Sequence, residues 1–514
     1  MSQFFRSLKN EYLPVLLIAV VIGCIVGVVV CLFNKALSFL SSVSVDIYTF
    51  VHDNLIYIPL LLLGLGIIGF LMHLVHKKVP GVRGGGMPQT IAMCKGEVSY
   101  KWYQVWWANI VCSCMSFFSG LPVGAEGPSM FLGASSAEGL RKTFRFRPYL
   151  KKYLSSAGAS SGFAATFNAP LAGMLFTIEK VHRKFSPLLL FVVGIAVISS
   201  TLTINLLNSL WGGTRLFFEF DGLISIPLQW GGLLVGLGAI VGLCSVLFQL
   251  ILVKSQKFTD RFVKQIPFSV RLICAFVLVG ILGVFFVDVI TGGHDLIGKV
   301  VGLDFSITMI AILLVIKLFL ITICYNSGAT GGLFIPSLCL GALVGGLCGH
   351  LFISCGMPED FYTTIVCFAM LGFLTGTTHA PLSSLVLLLE ITGFTGNLLS
   401  SGIVIIVAFV VALICRRKSL YEEQVERLTK NDGYLEEDNA VTKTVLLRPN
   451  SVIIGKRVGD IFLPRSVDIS NITREDKKIV SDSETRFKAG DKIQFIYQSK
   501  FKDEIEEYLS DISK

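Results

Sequence analysis

The chain has 514 residues, 53% hydrophobic and only 15% charged, with 44 Lys/Arg against 35 Asp/Glu and a net charge of +9. Water-soluble domains carry roughly 25% charged residues, so an ordinary soluble enzyme is excluded. The deficit is local: residues up to Cys415 hold 25 Lys/Arg and 16 Asp/Glu, whereas the remainder holds 19 of each, which reads as a membrane part followed by a soluble tail.

Crossing the hydrocarbon core takes ~20 apolar residues. In chain order, runs of that kind lie at 13–33, 55–75, 186–211, 229–253, 269–290, 304–325 and 397–415. The first, Leu13 to Phe33, has no charge and no nearby small-residue cleavage pattern, so a permanent span is expected rather than a cleaved signal. Segments 105–118, 127–140, 156–179, 332–352 and 364–390 are interrupted by Gly, Pro and Ser and read as broken helices. Backbone broken at membrane depth survives only where protein or a watery cavity satisfies it. The positive-inside rule places Arg6, Lys9, His76 to Lys78, Lys254 to Arg271 and Arg416 to Lys418 in the cytoplasm, and with them both termini. These charges sit in short connectors and form no basic face, which argues against a nucleic-acid partner. All thirteen Cys lie at or before Cys415 without metal-site spacing, and read as small buried hydrophobes.

Beyond Cys415 the pattern changes. Tyr421 to Leu435 reads as a helix running into a linker. Lys443 to Leu447, Val452 to Ile454, Val467 to Ile472 and Lys492 to Tyr497 read as short strands between turn signals, and Phe501 to Ile512 as a helix. The expected fold class is therefore an all-α polytopic membrane protein with a small α+β cytoplasmic C-terminal domain. The expected domain boundaries are 1–427, a linker at 428–442, and 443–514.

The membrane part carries an internal repeat. Pro128 to Ala134 and Pro336 to Ala342 share P-S-x-x-L-G-A. Ala169-Pro170-Leu171 leads to Glu179 at the same spacing as Ala380-Pro381-Leu382 leads to Glu390. The offsets are nearly equal, so two homologous halves of broken helices are expected, arranged as inverted repeats that meet at the midplane in the manner of transporters.

Three glycine-rich loops each deliver a Pro just inside a helix start: Gly84-Gly-Gly-Met-Pro88, Gly124-Ala-Glu-Gly-Pro128 and Gly331-Gly-Leu-Phe-Ile-Pro336. Glycines let backbone amides approach a ligand. Unpaired amides at the positive end of a helix dipole bind anions. One such loop is more readily an ordinary kinked helix; three in a duplicated frame favour an anion pathway. A carboxylate at such a helix start, here Glu126, can occupy an anion's own place as a tethered competitor.

At these residues the chain resembles the CLC family of chloride channels and proton-coupled chloride transporters. The family's motifs GSGIP, G(K/R)EGP and GxFxP stand here as GGGMP, GAEGP and GLFIP, and Phe167 to Glu179 resembles the helix that follows the second motif. The resemblance covers roughly residues 10–427. It implies that Glu126 is the external gating glutamate, that the amides of Leu333 and Phe334 line the central anion site, and that Tyr421 is the inner-gate tyrosine. The family's anion-coordinating serine is replaced by Gly85, and the basic residue of the second motif by Ala125. Lys180 stands where proton-coupled members often carry a second carboxylate. Glu390, the counterpart of Glu179, is expected to hold backbone or a helix start, and His379 to act as a cap or packing residue. Lys317, Asp288 and Asp295 are intramembrane charges without a motif.

The tail from Lys443 resembles the TrkA-C module, the C-terminal half of regulator-of-potassium-conductance domains, through its strand pattern and Ala489-Gly-Asp491. This implies a cytoplasmic regulatory module that pairs with its twin or binds a small molecule. The expected function is proton-coupled exchange of chloride or similar monovalent anions, gated by Glu126, in a homodimer in a bacterial plasma membrane. A passive channel of the same fold is the alternative, favoured by Lys180. A potassium transporter is more distant, because no T-V-G-Y-G-like filter is present. No enzyme motif such as Gly-x-Ser-x-Gly or His-Glu-x-x-His appears. Chloride is the substrate and no cofactor is implied.

Overall fold

The computed structural model describes residues 13–513 except 183–186, 212–216, 219, 221, 263–264, 394–395, 397, 416–417, 432–439, 450, 452, 459–460, 462, 464–466, 476, 480–481, 483 and 499–501. The expected cytoplasmic charges Arg6, Lys9, Lys264, Arg416 and Arg417 lie outside the described residues.

The first half contains α1 (Leu13–Asp53), α2 (Ile58–Lys78), α3 (Met87–Lys95), α4 (Trp102–Phe118), α5 (Glu126–Thr143), α6 (Lys151–Phe167), α7 (Pro170–Phe176), whose last turn widens into a π-helix at Thr177–His182, and α8 (Pro187–Trp211). The second contains α9 (Gly231–Phe262), α10 (Phe268–Phe285), α11 (His294–Val301), α12 (Ile307–Ser327), α13 (Phe334–Ser354), α14 (Tyr362–Thr378), α15 (Pro381–Thr392), α16 (Leu398–Ile414) and α17 (Leu420–Asn431).

The repeat extends beyond the matched letters. Both α6 and α14 have 17 residues and end on a left-handed residue, Asn168 with φ 51° and His379 with φ 56°. Each is followed at once by an Ala-Pro helix start. His379 is thus a C-cap, packed edge-on against Phe409. The halves also exchange carboxylates. Glu390 on α15 accepts the N–H groups of Leu171 and Ala172 at 2.8 and 2.7 Å. Glu179 accepts from Ser383 N at 3.0 Å, Ser383 Oγ at 2.6 Å and Leu382 N at 3.4 Å. Each acid caps the helix start of the opposite half, where a Pro-initiated helix leaves amides unpaired.

Four expected elements differ in extent. α1 runs 41 residues, twenty past Phe33. Its second part carries Asn34, Lys35 and four serines, which end the apolar run but not the helix. α13 is 21 residues long and apolar enough to cross a membrane, as is the stretch Glu359–Thr378 that includes α14. Their Gly and Ser residues permit close packing without breaking them. α16, by contrast, has only 17 residues. His76 is fully buried, with Nε2 3.0 Å from Thr330 Oγ1, so it serves structure rather than topology. Lys317 is also fully buried and donates to the carbonyls of Val289 and Thr291, both at 2.9 Å, pinning the loop before α11. Asp288 pairs with Lys299 at 2.5 Å. Of the cysteines, seven are buried, while Cys24, Cys274, Cys355 and Cys415 are exposed on the outside.

The tail is a four-stranded antiparallel sheet in the order β1 (Ala440–Leu446), β4 (Lys492–Gln498), β2 (Val467–Arg474), β3 (Lys477–Ile479), with α18 (Lys502–Ser513) packed on it. β1 opens at Ala440, ahead of the expected boundary at 443. Ile453 and Ile454 form a turn into Gly455 at φ 79°, not the expected strand, and Val452 lies outside the described residues. β3 is short and lysine-rich, typical of an edge. Buried Asp491 accepts both Arg474 nitrogens, at 2.7 and 2.8 Å, and Lys488 N–H at 2.8 Å. Burial works to raise its pKa, yet these donors hold the carboxyl below the usual aspartate range.

Candidate functional site

The three glycine loops converge. Gly124 and Gly332 exchange both backbone hydrogen bonds, at 2.8 and 2.7 Å, as an isolated antiparallel bridge. These residues are equivalents in the repeat. Reciprocal pairing of equivalents places a local two-fold axis between the helix starts of α5 and α13, so the halves are inverted about this point. Gly84 joins from the first loop: its N–H donates to Gly328 O, and its carbonyl accepts from Gly331 N, both at 3.2 Å. Backbone crowding reserves position 127 for glycine, and the Glu126 carboxylate fills the space beside position 332. A Cβ on Gly127 would lie 1.8 Å from Gly85 O, and one on Gly332 would lie 2.1 Å from Glu126 Oε1. Beneath them, Thr330 Oγ1 donates to Val82 O at 2.8 Å and Ser116 Oγ donates to Thr330 O at 2.6 Å, tying the loops into one body.

Glu126 is the first residue of α5 and is fully buried. Its Oε1 accepts from Phe334 N at 2.6 Å and Ile335 N at 3.4 Å, the opening amides of α13. Its Oε2 has no hydrogen-bond partner among the described residues. The carboxylate therefore sits where the positive end of a helix dipole aims two amides, the arrangement that attracts an anion. Leu333, the N-cap residue of α13, lies one position earlier. Sequence reasoning named Phe334 but missed Ile335, whose only cue was its place in the first helical turn.

The Phe334 ring is enclosed by Phe163, Phe167 and Phe176 at centroid distances of 5.4, 5.2 and 6.2 Å. Phe176 leads on to buried Tyr421 at 6.4 Å. Glu126, Gly85, Leu333, Phe334 and Tyr421 are thus gathered around one point from four helices or helix starts. Lys180 is not part of that cluster. It is buried in the π-helical turn after α7, two residues before His182, whose Nε2 lies 2.7 Å from Ser156 Oγ.

Two cavities flank the loops. One, of about 500 Å³, reaches Gly124 and Ala125 and is lined by Asn34, Lys35, Asn168, His294 and Asp295. The other, of about 610 Å³, reaches Gly84 and Gly85 and is lined by Arg83, Arg271, Arg427, Gln89 and Asn326. No His, Cys, Asp and Glu cluster suited to a metal ion occurs among the described residues.

Comparison with known proteins bears on this geometry. The chain is 28% identical over 440 residues to the H(+)/Cl(-) exchange transporter ClcA of Yersinia pseudotuberculosis, covering 83% of this chain and 91% of the relative. It is equally identical to that of Citrobacter koseri over 443 residues, covering 83% and 92%. Its fold is similar to that of a slow cyanobacterial Cl-/H+ antiporter, with TM-score 0.76 at 23% identity, covering 82% of this chain and 99% of that one. A eukaryotic CLC transporter gives 0.67 at 20% identity, covering 85% and 81%. A TrkA-C domain model matches residues 444–510. The voltage gated chloride channel model matches residues 64–413, more than half of the chain, and on that match the chain belongs to the CLC chloride channel family as a multi-pass integral membrane protein.

Proposed function

We propose that the protein exchanges chloride for protons across a bacterial plasma membrane, as a homodimer with a separate pathway in each subunit, and with both termini in the cytoplasm. One observation carries the reading: the Glu126 carboxylate is seated on the Phe334 and Ile335 amides. When ionised it fills the place of an anion. When protonated it loses the charge that the helix dipole holds, and an anion displaces it. A single group thus alternates between holding a proton and yielding its seat to chloride, which is the minimum needed to couple the two. The names of the relatives, H(+)/Cl(-) exchange transporter and Cl-/H+ antiporter, support the same coupling.

Gly85, Leu333, Phe334 and Tyr421 bound the anion site in this reading. The Asn34–Lys35 cavity is its outer mouth and the Arg83–Arg271 cavity its inner mouth. Lys180 supplies the inner proton-transfer position. The half-buried carboxylates of Glu179 and Glu390, on helices too short to cross a bilayer, need protein rather than lipid over them, and a second subunit provides that cover. The domain divisions proposed are the transport part at 1–427 and the regulatory tail from about 443. Tyr149 packs against the tail's core and Lys152 Nζ donates to Leu463 O, so the tail bears directly on the start of α6. A small ligand of the tail would act there.

Purified protein in liposomes, given an outward chloride gradient and no proton gradient, tests the reading. Protons should accumulate inside, driven by chloride leaving, with a fixed ratio between the two fluxes. Chloride flux with no proton movement would overturn the exchange reading in favour of a passive channel, the alternative that a lysine at position 180 suggests.

A further inference from the structure

The inner cavity holds a pair of charges that the gate does not use. Arg83 leads the first glycine loop, and Arg271 lies in the first turn of α10, 188 residues later. Both guanidiniums lie over one ring: their central carbons are 4.5 and 5.6 Å from the Phe268 centroid. The face of an aromatic ring attracts such a cation, and a guanidinium presents its N–H donors as a planar fork. Arg83 spends one nitrogen on His76 O at 3.2 Å. The Arg271 guanidinium makes no hydrogen bond or ion pair among the described residues, and its Nε is buried.

Two like charges beside one ring repel each other, and no described carboxylate stands between them. The one acid lining the cavity, Asp260, is already engaged: both of its oxygens accept from Arg427 Nη2 at 2.7 Å. Among the described lining residues this leaves Arg83 and Arg271 as two uncompensated positive charges. They share the cavity with Gly84 and Gly85, so any anion moving between this mouth and the Phe334 amides passes them. Gly85 itself offers no side-chain donor, so the two guanidiniums supply the uncompensated charged donors of this cavity for an anion at this end.

We propose that Arg83 and Arg271 form an anion-recruitment station at the inner mouth, which holds the transported halide before it passes Gly85. This rests on the pathway proposed above. The same pair of forks matches an oxyanion with several oxygens better than a spherical halide, so a polyvalent oxyanion occupies the station, cannot follow the halide inward, and blocks. Inorganic pyrophosphate is the probe.

The experiment uses the full-length protein and the variants Arg83→Gln, Arg271→Gln and the double substitution, each checked by gel filtration for an unchanged elution profile. Pyrophosphate binding is measured by calorimetry in detergent, independently of transport. Chloride flux is measured in liposomes as a function of chloride at the inner face. At low ionic strength the double variant should need three- to tenfold more chloride for half-maximal flux, and the gap should close near 1 M salt, where charges a few ångströms apart are screened. Pyrophosphate should bind the wild type, block only from the inner face, and lose at least tenfold in affinity in the double variant. Arg83→Lys should restore the chloride dependence but not the tight pyrophosphate binding. Equal pyrophosphate affinity in wild type and double variant, or unchanged chloride dependence at low salt, overturns the station. Failure of the exchange reading shows separately, as absent proton flux in the wild type, and leaves the calorimetric result to decide the station.

Discussion

The helix starts of α5 and α13 are the same structure used twice for opposite purposes. Each follows a left-handed glycine, Gly120 at φ 69° and Gly328 at φ 79°. Each opens with a bridge glycine, Gly124 or Gly332, and each has its proline two residues after the helix begins. All three residues between bridge glycine and proline differ, and the middle one carries the chemistry: the first half has Glu126 where the second has Phe334. The acid of one half reaches the amide of its own counterpart in the other, at 2.6 Å. Two acids there would repel across the axis, and two phenylalanines would leave both helix dipoles without a competitor for the anion. Duplication supplied a symmetric pair of helix starts, and in the function proposed above the acid on one of them makes the pair a gate.

The largest effect should come from erasing that asymmetry. Glu126→Gln keeps the size of the side chain and removes its ionisation, so it stands for the protonated gate at every pH. Proton flux in liposomes should fall to background, and chloride flux should persist with almost no dependence on pH. The sign follows from the competition: in the wild type a lower pH neutralises the carboxylate and frees its seat, so chloride flux should rise as pH falls, and this rise should vanish in the variant. A retained pH dependence would mean that another group gates the pathway.

The exchanged carboxylates test the symmetry from the other side. Glu390 holds two backbone amides at 2.7–2.8 Å, whereas Glu179 holds one amide at 3.0 Å, one at 3.4 Å and the Ser383 hydroxyl. Charged hydrogen bonds are worth about 1.5–3 kcal/mol and neutral ones about 0.5–1.5. Each Gln substitution should therefore cost roughly 1–2 kcal/mol, seen as a lowered midpoint of thermal unfolding in detergent. Glu390→Gln should cost more, because Ser383 gives the other cap a donor that tolerates a neutral acceptor. Equal losses would mean that the two caps are energetically equivalent despite their different partners.

The carboxylate at the helix start was legible in the sequence because its surroundings are local: a glycine loop, a carboxylate and a proline within five residues can be read without knowing what lies opposite. The repeat was legible for the same reason, as matched letters at a fixed offset. An offset shows equivalence but not contact, so neither the Gly124–Gly332 bridge nor the exchange of Glu179 and Glu390 could be read from it. Lys180 was placed by motif alone, and its burial in a widened helical turn came only from the fold. Arg83 and Arg271 could not be paired, because Phe268 brings them together through tertiary structure. Hydropathy also misjudged α1, whose Asn34 to Asp46 stretch is polar enough to end an apolar run but carries no Pro or Gly to end a helix. Ile453 and Ile454, expected in a strand, form a turn because Gly455 at φ 79° bends the chain there whatever the strand preference of the residues before it.

The smallest predicted effect concerns the loop that lies off the two-fold axis. Gly84 and Gly86 adopt φ 90° and 73°, which favour glycine, but Gly85 does not lie in that region. A Cβ at Gly85 would meet Gly331 O at 3.5 Å and Pro88 Cδ at 3.7 Å, which is ordinary contact. Gly85→Ser should therefore fold without strain and place a hydroxyl donor on the anion's route. A neutral hydrogen bond contributes about 0.5–1.5 kcal/mol net, equivalent to a change of about two- to tenfold in relative affinity. A hydroxyl donates one hydrogen to a compact halide more effectively than to an oxyanion whose charge is spread over three atoms. Chloride should gain over nitrate by that factor in relative flux measured under matched gradients. If the ratio does not move, position 85 does not touch the anion, and the cradle consists of the two helix starts and their amides alone.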